Sequence, residues 1–144
     1  MMISVIKELK VEELEPLVLQ SEQEGFRHIR RLVNEYQSGE NTFSGQGEVL
    51  YIAHEQEQIV GVIGLNQDPF SDQSTGRVRR LYVHPDYRHL GIGTQLVQKV
   101  TSEANKFYNI LVLRADSEQA SQFYLALGFK PDSHDPHRTH YKVL

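Results

Sequence analysis

Residues 78 to 94 read Val78-Arg79-Arg80-Leu81-Tyr82-Val83-His84-Pro85-Asp86-Tyr87-Arg88-His89-Leu90-Gly91-Ile92-Gly93-Thr94. An apolar strand from Val78 to Val83 passes through a short polar turn into a loop with two glycines. That loop opens directly into a helical stretch. Glycines let a backbone approach a ligand closely, and the first turn of a helix offers unpaired N–H groups that carry partial positive charge. Arg88 adds a full charge at the mouth, so Arg88 to Thr94 forms a cradle for an anion. A Gly-x-Gly pair alone is a weak signal, and its surroundings must decide which anion is meant.

Two nucleotide readings fall at once. A Walker loop needs Gly-x-x-x-x-Gly-Lys-Ser/Thr, and neither that spacing nor the lysine is present. A dinucleotide fingerprint needs a third glycine at position 96, which is Leu96.

The 144 residues suit one domain, 1–144, able to bury a core without disulfide or metal support. There is no cysteine, which excludes a cysteine nucleophile, so any thioester chemistry uses a thiol from outside. Fifteen Lys and Arg against nineteen Asp and Glu give a formal charge of -4, which argues against nucleic acid as a partner. The N-terminus meets charge too soon for a signal peptide, and no run approaches the ~18 residues of a membrane span. A cytoplasmic protein with no membrane partner is expected. Arg77, Arg79, Arg80 and Arg88 gather around the strand and loop. They form either a solvated strand face or a cluster that steers and holds a polyanion.

Ile3, Val5 and Ile6 read as a first strand, Val11 to Leu19 and Phe26 to Tyr36 as helices, and Gly39 as the stop of the second helix. Glu48 to Ala53 and Ile59 to Leu65 read as a hairpin across a polar link of residues 54 to 58. Asn66 to Gly76 is the longest turn-forming stretch and a candidate to line the substrate side. From Arg77 to Val83 the apolar positions do not alternate, because Val78 and Leu81 are an odd number apart; a one-residue bulge near Arg79 and Arg80 restores a common face. Helices are expected over Gly91 to Ala104 and Ser117 to Leu127, the latter ended by Gly128. Ile110 to Leu113, Phe129, and Arg138 to Leu144 supply the last strands. The architecture expected is α/β (α+β), a mixed, mostly antiparallel sheet of six to seven strands flanked by about four helices.

Three stretches carry a resemblance. The strand and loop just quoted match the pattern LYVxPxYRxxGIG, Ile110 to Leu113 is the strand that follows, and residues 120 to 129, Ala120 to Phe129, match AxxFYxxxGF. In this order and spacing the chain resembles the GNAT family of N-acetyltransferases over residues 78 to 129, while residues 1 to 65 fit the family only in the order of their elements. The resemblance implies acetyl-CoA as co-substrate, no metal, and acetyl transfer to a primary amine by direct attack. The acceptor is a small molecule or peptide left unidentified. Many members form dimers, so a homodimer is admitted, and no feature of the chain fixes its assembly.

By the same resemblance the main chain of Leu81, Tyr82 and Val83 pairs with the pantetheine arm. The amides of His89, Leu90, Gly91, Ile92, Gly93 and Thr94 hold the pyrophosphate with Arg88 as charged partner, and the Val83 N–H stabilises the oxyanion. Tyr124 protonates the departing thiolate, since a phenol of pKa about 10 is a competent acid toward a thiol of roughly 8.5 once held nearby. Without the motif, Tyr124 would read as a core residue beside Phe123. Ala120, Phe123 and Tyr124 are implied cofactor contacts, as is Ser117, which stands where the family often has Asn. Several members carry a Glu near the start of the strand before the loop, where this chain has Arg77. Asp68, Asp116 or a water-mediated route remain as bases, each Asp also reading as a turn cap. His134, His137 and His140 lie close in sequence but read as a polar loop and a strand sooner than as a metal site, and His140 is a candidate for the acceptor pocket. The rival reading is a protein of the same fold that binds acyl-CoA as a sensor or partner without turnover. A third, an unrelated phosphate-binding module, requires the combined matches to be coincidence.

Overall fold

The computed structural model describes residues 1–144. Its seven strands are β1 (Met2–Val5), β2 (Val49–Glu55), β3 (Gln58–Gln67), β4 (Thr75–Val83), β5 (Ile110–Leu113), β6 (Lys130–Pro131) and β7 (His140–Val143). They form one sheet in the order β1-β2-β3-β4-β5-β7-β6. Only β4 and β5 run parallel; every other neighbouring pair is antiparallel. The parallel step requires a crossover, and helix α3 (Ile92–Ala104) provides it.

The helices cover both faces. Helices α1 (Val11–Gln23) and α2 (His28–Ser38) present Leu14, Leu17, Val18, Ile29, Leu32 and Val33 to one face of the sheet, where Leu50, Ile52, Val62 and Tyr82 meet them. Helices α3 and α4 (Glu118–Ala126) cover the other face, on which Leu96, Val97, Val100 and Tyr124 pack against Val60, Ile63, Leu65 and Val78. The turn-capping logic is visible at both Gly39 and Gly128, which take φ of 82° and 93° just past α2 and α4.

Several boundaries differ from the sequence reading. Helix α1 runs on to Gln23 and carries Pro16 inside it, because the buried stripe continues through Ser21. The hairpin link is tighter than residues 54 to 58: β2 extends to Glu55 and β3 starts at Gln58, with Gln56 at φ 57°. The loop expected over 66 to 76 is shorter, since Asn66 and Gln67 pair with Arg77 and Gly76. Asn66 is buried there because Asn41 and Glu48 satisfy its side-chain amide.

Candidate active site

The site grows out of an irregularity in β4. Val62 is opposite Tyr82 and Gly64 is opposite Arg79, so Ile63 alone faces both Arg80 and Leu81. Two residues against one is a β-bulge, and Arg80 takes the left-handed φ of 63° that the extra residue requires. Val78 and Leu81 consequently share the α3 face despite their odd separation, while Tyr82 faces α1 and α2. An ion pair from Arg80 to Glu35 on α2, at 3.0 Å, holds the bulge.

Past the bulge, β4 loses one neighbour. It pairs with β5 only through Thr75, Gly76 and Arg77, so Val78 to Val83 leave an open edge. The amide of His84 bonds Val60 across the ladder with β3, and the alternation of an antiparallel pair turns Tyr82 inward to Val62. Leu81 and Val83 therefore point their main-chain groups at the open edge. Side chains already meet their carbonyls: His28 Nε2 lies 3.2 Å from Leu81 O, and Arg88 Nε donates to Val83 O at 3.0 Å. The amides of Leu81 and Val83 meet no acceptor on β5.

The same edge leads through one turn of 3-10 helix, Pro85–Tyr87, into the loop before α3. His89 and Gly91 both have left-handed φ, 64° and 83°. Successive amides in such a turn converge, and α3 has no side-chain cap. No protein acceptor meets the amides of His89, Leu90, Gly91, Ile92, Gly93 or Thr94. A Cβ added at Gly91 would meet nothing within 4 Å, which leaves the cradle open to a ligand. Gly93 is close-packed instead, its Cβ position being 3.3 Å from the Phe123 ring.

The guanidinium of Arg88 turns toward α1, where it binds both oxygens of Glu24 at 2.9 and 2.6 Å and covers the Tyr82 ring at 5.5 Å. The Tyr82 hydroxyl donates to the same carboxylate. Arg88 holds Glu24 below the usual carboxylate range despite the opposing cost of burial. Of the four clustered arginines, Arg77, Arg80 and Arg88 are thus each paired with a carboxylate. Arg79 lines a polar cavity of about 380 Å³ together with Glu35, Asn41 and Asn66. The Nε atoms of Arg79 and Arg80 are buried without partners.

Tyr124 on α4 is 7 % exposed and packed edge-on against Phe123 and Phe129 at 5.1 and 5.5 Å. Its hydroxyl makes no hydrogen bond within the chain and is not sealed from the surface. Burial, assisted by the negative charge of Asp116, raises the phenol above its ordinary value. Ser117 caps α4, its Oγ accepting from the amide of Ala120 at 3.0 Å.

The other candidates separate. Asp68 is buried against Arg77 at 2.7 Å, and Ser71 donates to its second oxygen. Burial pulls its pKa up, but these bonds outweigh burial and hold it below the ordinary value. Arg77 also donates to the carbonyl of His137, whose ring stacks on Phe70 at 3.8 Å. His140 is buried in β7 between Ser121 and Thr139. His137 and His140 thus face different partners, and His134 donates its backbone amide to Asp132. The sequence reading passed over His28, the first residue of α2, whose contact with Leu81 spans 53 positions.

The acetyltransferase (GNAT) domain model matches residues 46–131. The chain is similar to a candidate acetyltransferase from Exiguobacterium sp. 255-15, with 33% identity over 99% of this chain and 92% of that one and a TM-score of 0.88. It is similar in fold to a GNAT-family acetyltransferase of Staphylococcus aureus Mu50 (22% identity, 99% of both chains, TM-score 0.74). The same holds for PaiA N-acetyltransferase of Thermoplasma acidophilum, solved in complex with coenzyme A (20% identity, 100% of both chains, TM-score 0.70). No curated protein matches in sequence. The family model covers more than half of the chain and the Exiguobacterium protein is similar over nearly all of it, so the chain belongs to the GNAT acetyltransferase family.

Proposed function

We propose that this protein is an N-acetyltransferase, a single domain that moves an acetyl group from acetyl-CoA to a primary amine by direct attack. The observation that carries the reading is continuous: the amides of Leu81 and Val83 on the open edge of β4 lead to six free amides from His89 to Thr94. A ligand that pairs like a strand and ends in a pyrophosphate fits such a row, as the pantetheine and phosphates of CoA do. The Val83 N–H stabilises charge developing on the thioester oxygen. Tyr124 donates its proton to the leaving sulfur, its raised pKa keeping that proton in place at neutral pH. Phe123, whose ring lies 3.3 Å from the Cβ position of Gly93, and Ala120 are the further cofactor contacts of this reading, and Ser117 caps the start of α4. The chain has no cysteine, which accords with a single transfer without a cysteine acyl-enzyme.

A thermal-shift series with acetyl-CoA, CoA and ATP tests the binding. Both CoA species are expected to raise the melting temperature more than ATP does. Thiol release with a panel of primary amines tests turnover. No shift with either CoA species defeats the reading, and a shift without thiol release for any amine favours an acyl-CoA sensor.

A further inference from the structure

An amine attacks a thioester only as the neutral base, and an alkylammonium of pKa near 10.4 is almost wholly protonated at pH 7. Three carboxylates tied to β4 and its loop are engaged by arginines, and Asp116 lies on the turn after β5. Asp68 is held by Arg77, Glu35 by Arg80 and Glu24 by Arg88. His28 is different. It opens α2 at the edge of the bulge and reaches Leu81 O with Nε2. A carbonyl can only accept, so Nε2 carries the hydrogen and Nδ1 keeps its lone pair. No group of the chain meets Nδ1.

We propose that His28 Nδ1 is the base that takes the acceptor's ammonium proton. This inference rests on the acetyl-transfer reading above. The ring is set edge-on between Phe26 and Tyr82, with centroids 5.6 and 6.2 Å away, so its aim is fixed by packing as well as by Leu81. The charged groups facing it are Asp116 from the turn after β5, Arg80 from β4 and Arg31 from α2. Burial lowers the imidazole below its ordinary value, the Leu81 carbonyl and Asp116 oppose this in part, and the two arginines add to it. His28 is accordingly neutral at pH 7. The Leu81 carbonyl that holds Nε2 lies on the open edge of β4, two residues before Val83, whose N–H the acetyl-transfer reading sets against the thioester oxygen.

The protons balance. The ammonium gives one proton to His28 Nδ1, and the freed nitrogen forms the new C–N bond as the C–S bond breaks. The sulfur takes the Tyr124 proton, the amide nitrogen loses a second proton that restores the phenol, and His28 releases its proton to water.

Two measurements test the assignment. In the wild-type protein, nitrogen NMR of the His28 ring is expected to show a protonated Nε2 and a bare Nδ1 at pH 7; an imidazolium or the Nδ1–H tautomer overturns the proposal without touching the acetyl-transfer reading. His28→Gln keeps a donor for Leu81 O and removes the basic lone pair. With an Nα-blocked lysine peptide its kcat/KM at pH 7 is expected to fall about a hundredfold. With an unblocked peptide whose α-amine has a pKa near 8, the loss is expected to be several-fold smaller. Acetyl-CoA affinity stays unchanged. Equal losses for both amines, or none, overturn the proposal, whereas wild-type protein that releases no thiol with any amine counts against the acetyl-transfer reading instead.

Discussion

Glu24 grips Arg88 through both carboxylate oxygens, tying the end of α1 to the mouth of the loop before α3. The pair lies at the surface, with side-chain exposures of 35% for Arg88 and 25% for Glu24. A pair so placed is worth up to about 1 kcal/mol. A phosphate bound at the loop would compete with Glu24 for the same guanidinium. Glu24→Gln is therefore expected to tighten acetyl-CoA binding by about two- to fivefold, and Arg88→Ala to weaken it, in calorimetric titrations. Weaker binding in Glu24→Gln would show that the pair braces the loop for the cofactor.

Removing the Tyr124 hydroxyl should separate chemistry from binding. Tyr124→Phe is expected to lower kcat by roughly a hundredfold at saturating acetyl-CoA, with its dissociation constant unchanged. The pH profile carries a second sign. A phenol raised above its ordinary value keeps its proton through pH 10, so the wild-type kcat should show no alkaline fall from Tyr124 below that pH. An unchanged rate in Tyr124→Phe would remove the assignment.

Asp68 and Arg77 are both buried, and breaking one side strands the other. Asp68→Asn is expected to cost about 3 kcal/mol in urea unfolding, and adding Arg77→Met should recover much of that loss. Because the folded-state pKa of Asp68 is depressed, its contribution is full above the unfolded value of about 3.9 and disappears as pH falls through the folded one. The wild type should therefore lose stability below about pH 4 more steeply than the double variant.

Gly91 holds φ 83° at the point where α3 begins. Gly91→Ala should cost about 1–2 kcal/mol of stability through its left-handed backbone, and its methyl would enter the open space of the cradle. Acetyl-CoA affinity should fall beyond what the loss of stability explains. The comparison that isolates this is Gly39→Ala, at φ 82° outside the site, with similar strain and unaltered affinity.

What could be read from the chain was what local spacing encodes. The odd separation of Val78 and Leu81 gave away the bulge, because a strand's side chains alternate strictly and a shared face demanded an extra residue. The glycines at 39 and 128 marked helix ends through a backbone need that only their own position sets. Asn66 misled for the opposite reason: a polar residue signals a loop until distant partners, here Asn41 and Glu48, satisfy it inside a strand. The pairings that shape the site, His28 with Leu81 and Glu24 with Arg88, join residues 53 and 64 positions apart. No periodicity carries such a contact. The motif did locate the loop, but which main-chain groups of β4 are free depends on a register with β3 that only the fold sets.

The most direct test of the cofactor site is an amide-resolved NMR titration of the wild-type protein with acetyl-CoA. The largest shifts are expected at His89 to Thr94, with further changes at Leu81 and Val83 and little change at Tyr82, whose main chain faces Val62. Saturable binding that leaves the amides of His89 to Thr94 unmoved would contradict the account.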